Sequence, residues 1–452
     1  MHSKKRFIQL CTWCVTLAWC LVGTSAWAGS NHVQASYRAL EAMPELSQAP
    51  RAVVESLDSF LRAQEKTLEA LLASQEAWAM AAVEFYPALP DALAFVANAQ
   101  RSDEARRQAF LTALRIAPNS KFSLFLEPDA KGIDANSVAS ASLGITDVSS
   151  VPPQHGSIHA HKRFVVLKTG ELVSPLAVVA TATDEPDYGL DTFLWEDSPT
   201  GWGKQWGLGP QPFGNPASAA ASQTPFGMGF FFEDRILYSV APWAKRSMVQ
   251  ARYYQYSSLS ALALRTGHDY WGWRFAGLAL HYLQSLTQPY HARLAPGESS
   301  SKLLAYNTLA RMGLPGPRNT RIRAITNQRL LLDALQTQLL PQSYKALQTQ
   351  DKDNNYPEWN DRYLRTVVAA QSANLADGAQ RTLLETLPPE WVEEALIDLQ
   401  PQDATMRLLP DLLAQDPSRR TRLQSLVNEL MGNFGAHSRN ALRAIVKSGN
   451  RY

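Results

Sequence analysis

The sequence predicts a mainly α protein, with a helical N-terminal module, a small irregular or β segment, and a larger helical domain behind it. Three observations carry this. From Pro50 to about Phe85 the apolar residues Val53, Val54, Leu57, Phe60, Leu61, Leu68, Leu71 and Leu72 recur at three- and four-residue steps, as one face of a long helix requires. From Ala241 onward the same periodicity returns, including stretches near 321–348, 357–385, 389–400 and 419–447. Between the two, periodicity fades into glycine, proline and aromatic residues. With 452 residues, 45% of them hydrophobic, the chain is long enough to bury a large core.

The elements follow in order. Residues 1–28 join a basic start (Lys4, Lys5, Arg6), an apolar stretch from Phe7 to Val22 and Ala26-Trp27-Ala28, the arrangement of a cleavable secretory signal. Export to the periplasm or the extracellular space is the expected fate. Cys11, Cys14 and Cys20 all lie in that segment, so packing rather than disulfides is expected to hold the mature chain. Its removal takes three of 43 basic residues and no acidic ones, leaving 40 against 41 and a net charge of −1. Such a balance gives no electrostatic case for general nucleic-acid binding. No later apolar run is long enough for a transmembrane span in the mature chain.

Residues 29–125 form the helical module, whose second helix, Arg101 to Ile116, is stopped by Pro118-Asn119. Residues 126–235 form the irregular segment. Here Arg163–Lys168 and Leu176–Ala180 are expected to pair as a small hairpin, followed by a long loop from Asp184 to Phe232. A loop of that length is more often functional than idle. Residues 236–452 form the larger domain, in which Gly267 ends one helix and His268-Asp269 opens the next.

Chemistry concentrates on that next helix. His281 and Ser285 are one turn apart and share a face, and Pro289 limits the helix so that His291 turns back toward them. Imidazole and carboxylate are the ligands zinc accepts where sulfur is absent. Upstream, Asp184, Glu185, Asp187 and Asp191 place four acids within eight residues, and His155-Gly156-Ser157-Ile158-His159-Ala160-His161 has metal-like spacing.

The run LALHYLQSLTQPYHA around His281 and His291 resembles the metal-binding helix of the zinc-dependent phospholipase C family, whose superfamily also holds single-strand nucleases. The likeness is specific over about residues 245–295. It implies a multi-helix domain, bound zinc and hydrolysis of a phosphodiester such as a phospholipid or nucleotide head group. It implies His281 and His291 as metal ligands, and by chain order His159 or His161 as an earlier histidine ligand and Asp184, Asp187 or Asp191 as the aspartate, with Asp184 and Asp187 as the catalytic candidates and Asp191 as the metal candidate. Ser285, His268, Asp269 and Glu233 then stand as substituted or supporting positions.

The sequence departs from the family pattern at several points. Ser285 stands where the pattern has Asp, Gly229-Phe230-Phe231-Phe232-Glu233-Asp234 contains no His, no histidine occurs between His291 and His437, and Gly29 is not Trp. Two readings follow: a hydrolase with fewer zinc ions than the family's three, or a non-catalytic relative whose cavity binds a ligand or serves structure. Other motifs fail. The glycines near 201–214 have no phosphate-loop lysine behind them. The calcium-like start at Asp351 meets Tyr356 where glycine is needed.

Overall fold

The computed structural model describes residues 32–128, 142–152, 155, 159, 162–396, 399 and 409–449. Residues 1–28, read above as a secretory signal, and His161 lie outside them. Helices take 64% of the residues and strands 3%, so the protein is mainly α.

The chain opens with helix α1 (His32–Leu40), strand β1 (Ala52–Val53), the long α2 (Leu57–Ala82) and α3 (Asp103–Ala113). Both longer helices begin on a serine cap: Ser56 accepts from the Ser59 amide and Ser102 from the Ala105 amide, each satisfying a donor that the first turn leaves without a partner. The periodicity that begins at Pro50 thus becomes helix only from Leu57, because residues 52–53 pair as a strand. Strands β2 (Phe125–Leu126) and β3 (Ser142–Gly144) flank β4 (Arg163–Val166) in an antiparallel sheet, while β5 (Leu172–Val173) pairs with β1.

The expected hairpin does not form. Its second run lies in helix α4 (Pro175–Ala182), whose eight residues are all buried. A short apolar run has no period to separate strand from buried helix. Pro175 at the first helical position, with φ already set for a helix, decides the outcome. Residues 184–232 follow as short helical turns and loops that pack Trp195, Trp206, Phe213 and Phe226 into the core.

Helices α5 (Val249–Thr266) and α6 (Asp269–Leu286) come next, joined at Gly267, whose φ of 87° suits glycine in the left-handed cap. Then follow α7 (Pro289–Ala292), α8 (Ser300–Arg311), α9 (Gly316–Leu339), a π-helical turn at Leu364–Ala369 running into α10 (Ala370–Thr386), and α11 (Pro417–Gly449). Of the expected 389–400 helix, only Pro389–Val392 is helical among the described residues.

Helix α6 is the axis of the fold. Every residue from Tyr270 to Leu286 is buried, with α4, α5 and α11 packed around it. Helix α4 approaches so closely that a Cβ at Gly277 would lie 2.3 Å from the Val179 carbonyl oxygen, so this crossing depends on glycine. Helix α1 packs on α4 and α11, and one cluster of buried apolar side chains runs from Val33 to Ile445. The N-terminal module and the C-terminal helices therefore share a core. No helix among the described residues is long and apolar enough to cross a membrane.

Candidate metal centre

The site is assembled where α1, α6 and the turn after α4 meet. His281 points from α6 toward the Thr183 carbonyl, with Nδ1 2.8 Å from that oxygen. A carbonyl can only accept, so Nδ1 carries the proton and Nε2 presents a bare lone pair. His32 on α1 is held in the same way, with Nδ1 2.9 Å from Gln284 Oε1. The Gln284 amide nitrogen donates to Ser36 Oγ at 2.8 Å and Ser438 Oγ at 3.2 Å, leaving its oxygen to face His32. The two imidazoles lie with ring centroids 5.0 Å apart.

Asp187, in the 3₁₀ turn Glu185–Tyr188, completes the group. Its Oδ1 is 3.8 Å from His281 Nε2, and its Oδ2 is buried without a hydrogen bond. One donor atom from each of His32, Asp187 and His281 lies within 4.8 Å of the other two. Burial, with the neighbouring His32, lowers His281 to about 3, and burial also lowers His32. Both imidazoles are neutral at physiological pH, the form that binds metals. Burial, then the Asp184 charge, pushes the Asp187 carboxyl well above the ordinary carboxylate range.

The surrounding acids sharpen the picture, because a buried carboxylate requires a compensating cation. Asp191 receives Arg252 Nε at 2.9 Å and the Tyr282 hydroxyl at 2.7 Å. Glu185 is gripped by Arg274, whose Nε lies 2.9 Å from Oε2. Glu127 and Asp184 share the Lys162 ammonium, at 3.0 and 2.6 Å. Against the penalty of burial, Lys162 holds Asp184 below the usual range, while burial and the Asp184 charge push Glu127 up to about 7. Of these five acids, Asp187, whose side chain is 15% exposed, is the one without a side-chain cation among the described residues, and its Oδ1 faces the bare Nε2 of His281.

The structure brings some of the sequence-derived residues together and not others. Asp184, Asp187 and His281 gather at the site. His291 on α7 is buried beside Ser285, and burial, then Arg329, lowers it to about 3. Its ring nitrogens make no well-formed hydrogen bond, only a loose approach to the Ser285 backbone. The Ser285 hydroxyl is also unpartnered. Both residues line two cavities of about 40 Å³ each, one shared with His32 and Asp333, the other with Asp187 and His281.

His159 is buried against the edge of Tyr188, ring centroids 5.2 Å apart, which places it with Lys162 and Asp184 rather than with His281. Asp191 lines the second cavity, but both its oxygens are taken by Arg252 and Tyr282. His268 binds Glu55 at 2.9 Å at the opposite end of α6, roughly 20 Å from His281 by helical rise. Asp269 begins the first turn of α6 beside it. Glu233 binds Arg293 and the Leu294 amide, anchoring the chain after α7.

Sequence reasoning passed over His32 and Asp333. The available signal for His32 was faint: a histidine opening a helix whose Ala35 and Ser36 allow close packing. Asp333 sits on α9 with Oδ2 unpartnered, and burial, against the pull of Arg329, raises it to about 7.

Together these elements define a mainly α protein with a centre of two buried imidazoles and one half-buried carboxylate. The chain matches no family model, no curated protein and no solved structure.

Proposed function

We propose that this chain is an exported, metal-dependent phosphodiester hydrolase of the zinc phospholipase C type, with its metal content reduced to one ion held by His32, Asp187 and His281. The observation that carries the metal is Asp187, an acid with no side-chain cation among the described residues, whose carboxylate and one nitrogen each of His32 and His281 lie within 4.8 Å of one another. Two neutral nitrogens and one oxygen form a donor set that zinc accepts. The phosphodiester rests on the likeness of the His281–His291 segment to that family's metal-binding helix.

When bound, the ion would polarise a phosphoryl oxygen and lower the pKa of a water. The chain's own residues have distinct tasks. Thr183 and Gln284 fix the proton of each imidazole on Nδ1 and so aim Nε2 inward. Asp187 gives up its proton to become a ligand. Asp184, kept ionised by Lys162, adds negative charge beside His32 and Asp187 and so favours a cation there.

The size of the two cavities favours a second reading. At about 40 Å³ each they admit one or two waters rather than a head group. A non-catalytic relative, with a metal-binding or empty centre serving structure, would look the same at rest.

Zinc content after dialysis in buffered zinc, measured by elemental mass spectrometry beside His281→Ala and His32→Ala, tests the centre. Hydrolysis of bis(p-nitrophenyl) phosphate by the zinc-loaded protein tests the chemistry. One equivalent lost in both variants, with turnover, supports the hydrolase. One equivalent without turnover on this or phospholipid substrates supports the structural reading, and no bound metal overturns both metal-based forms.

A further inference from the structure

Lys162 occupies an unusual position. Its side chain is 13% exposed, and Nζ donates to Glu127 Oε2 at 3.0 Å, Asp184 Oδ2 at 2.6 Å and the Tyr188 hydroxyl at 2.9 Å. Those oxygens come from the end of β2 and from the turn after α4, and the Tyr188 hydroxyl in turn donates to Glu127. The His159 ring lies against the same Tyr188. An ammonium has three N–H donors, and here all three are spent on oxygens. None is left for a substrate, so Lys162 does not bind one.

Its surroundings instead resemble a coordination shell. Two carboxylates and a phenol converge on one positive centre, with an imidazole beside them, the oxygen-rich donor set that a divalent ion would take. Asp184 is 1% exposed, and its second oxygen, Oδ1, is buried without a partner, so the shell has donor capacity the ammonium does not use. The charge also reaches the neighbouring centre, since Lys162 and Asp184 both act electrostatically on His32 and on Asp187. A divalent ion and an ammonium would compete for the same two carboxylates.

We infer that Lys162 takes the place of a second cation beside the His32–Asp187–His281 cluster and so limits the centre to a single divalent ion. The count of one rests on the function proposed above, whereas the replacement of a cation by Lys162 does not.

The test compares zinc stoichiometry, by elemental mass spectrometry, in the full-length protein, Lys162→Met and Lys162→Arg. Removing the ammonium is expected to raise zinc by one equivalent, while the arginine variant, which keeps the charge, stays at the parent value. Adding Glu127→Gln to Lys162→Met should lose the extra equivalent. A folded Lys162→Met protein with unchanged zinc overturns the inference. If the parent binds none and Lys162→Met binds one, the proposed centre fails and this inference stands. Should Lys162→Met be unfolded in chelator, its melting is followed with added zinc, alongside Lys162→His. Recovery of a cooperative melt supports the replacement, and failure of both variants to fold at millimolar zinc overturns it.

Discussion

His32 Nδ1–H donates a hydrogen bond to Gln284 Oε1 at 2.9 Å, tying the first helix to the buried helix that carries His281. The same Gln284 amide also holds Ser36 and Ser438, so three helices meet on one side chain. That side chain decides which nitrogen of His32 is left without a hydrogen bond to Gln284.

Gln284→Leu therefore acts on the metal without touching it. Loss of a hydrogen bond that orients a ligating imidazole commonly costs about 10–100-fold in metal affinity. Competition with a chromophoric chelator is expected to show a drop of that size, and His32→Ala a larger one. An affinity equal to that of the parent would remove His32 from the ligand set.

Zinc binding should also release a proton near neutral pH. Burial and the Asp184 charge hold the Asp187 carboxyl well above its ordinary range, so a proton competes with an arriving cation for the same oxygens. Calorimetry in buffers of different ionisation enthalpy is expected to give about one proton released per ion. Asp187→Asn should bind weakly and release none. Binding by the parent without proton release would count against Asp187 as the oxygen ligand.

Arg252 is a structural counterpart to the open acid. It sits on α5 and donates to Asp191 and to the Leu114 and Arg115 carbonyls, at 2.6 and 2.7 Å for the latter two. Removing one partner of a buried ion pair leaves an uncompensated charge and costs about 3–5 kcal/mol. Chemical denaturation of Arg252→Met should show a loss in that range, with Arg252→Met/Asp191→Asn recovering part of it. A loss below about 1 kcal/mol would mean that Asp191 is solvated or protonated instead.

Acid lability follows from the buried imidazoles. Burial, with Arg329, lowers His291 from 6.5 to about 3, so unfolding lets it take up a proton anywhere between those values. The unfolded state then binds more protons, and stability falls as pH falls from about 6.5 toward 3. His291→Gln cannot titrate, so its stability relative to the parent should improve steadily on acidification through that window. A difference between the two proteins that is constant with pH would place His291 in contact with water.

The sequence alone determined the helical character of the protein, the junction at Gly267 and the shared face of His281 and Ser285. These depend on spacing within a single segment: periodicity over several turns, a left-handed cap that suits glycine, and a four-residue return on one helix. It left the state of residues 176–180 open on periodicity, since a short apolar run fits a strand or a buried helix; Pro175 at the first helical position favours the helix, and the close crossing at Gly277 gives that helix a place in the core. Nor did it determine the site. Asp184, Asp187 and Asp191 look alike along the chain, yet folding gives Lys162 to the first and Arg252 to the last and leaves Asp187 without a cation. His32, far from His281 in sequence, reaches it only because α1 docks between α4 and α11. Charge compensation and long-range convergence are properties of the packed interior, so the tertiary structure alone decided which acid and which histidines face one another.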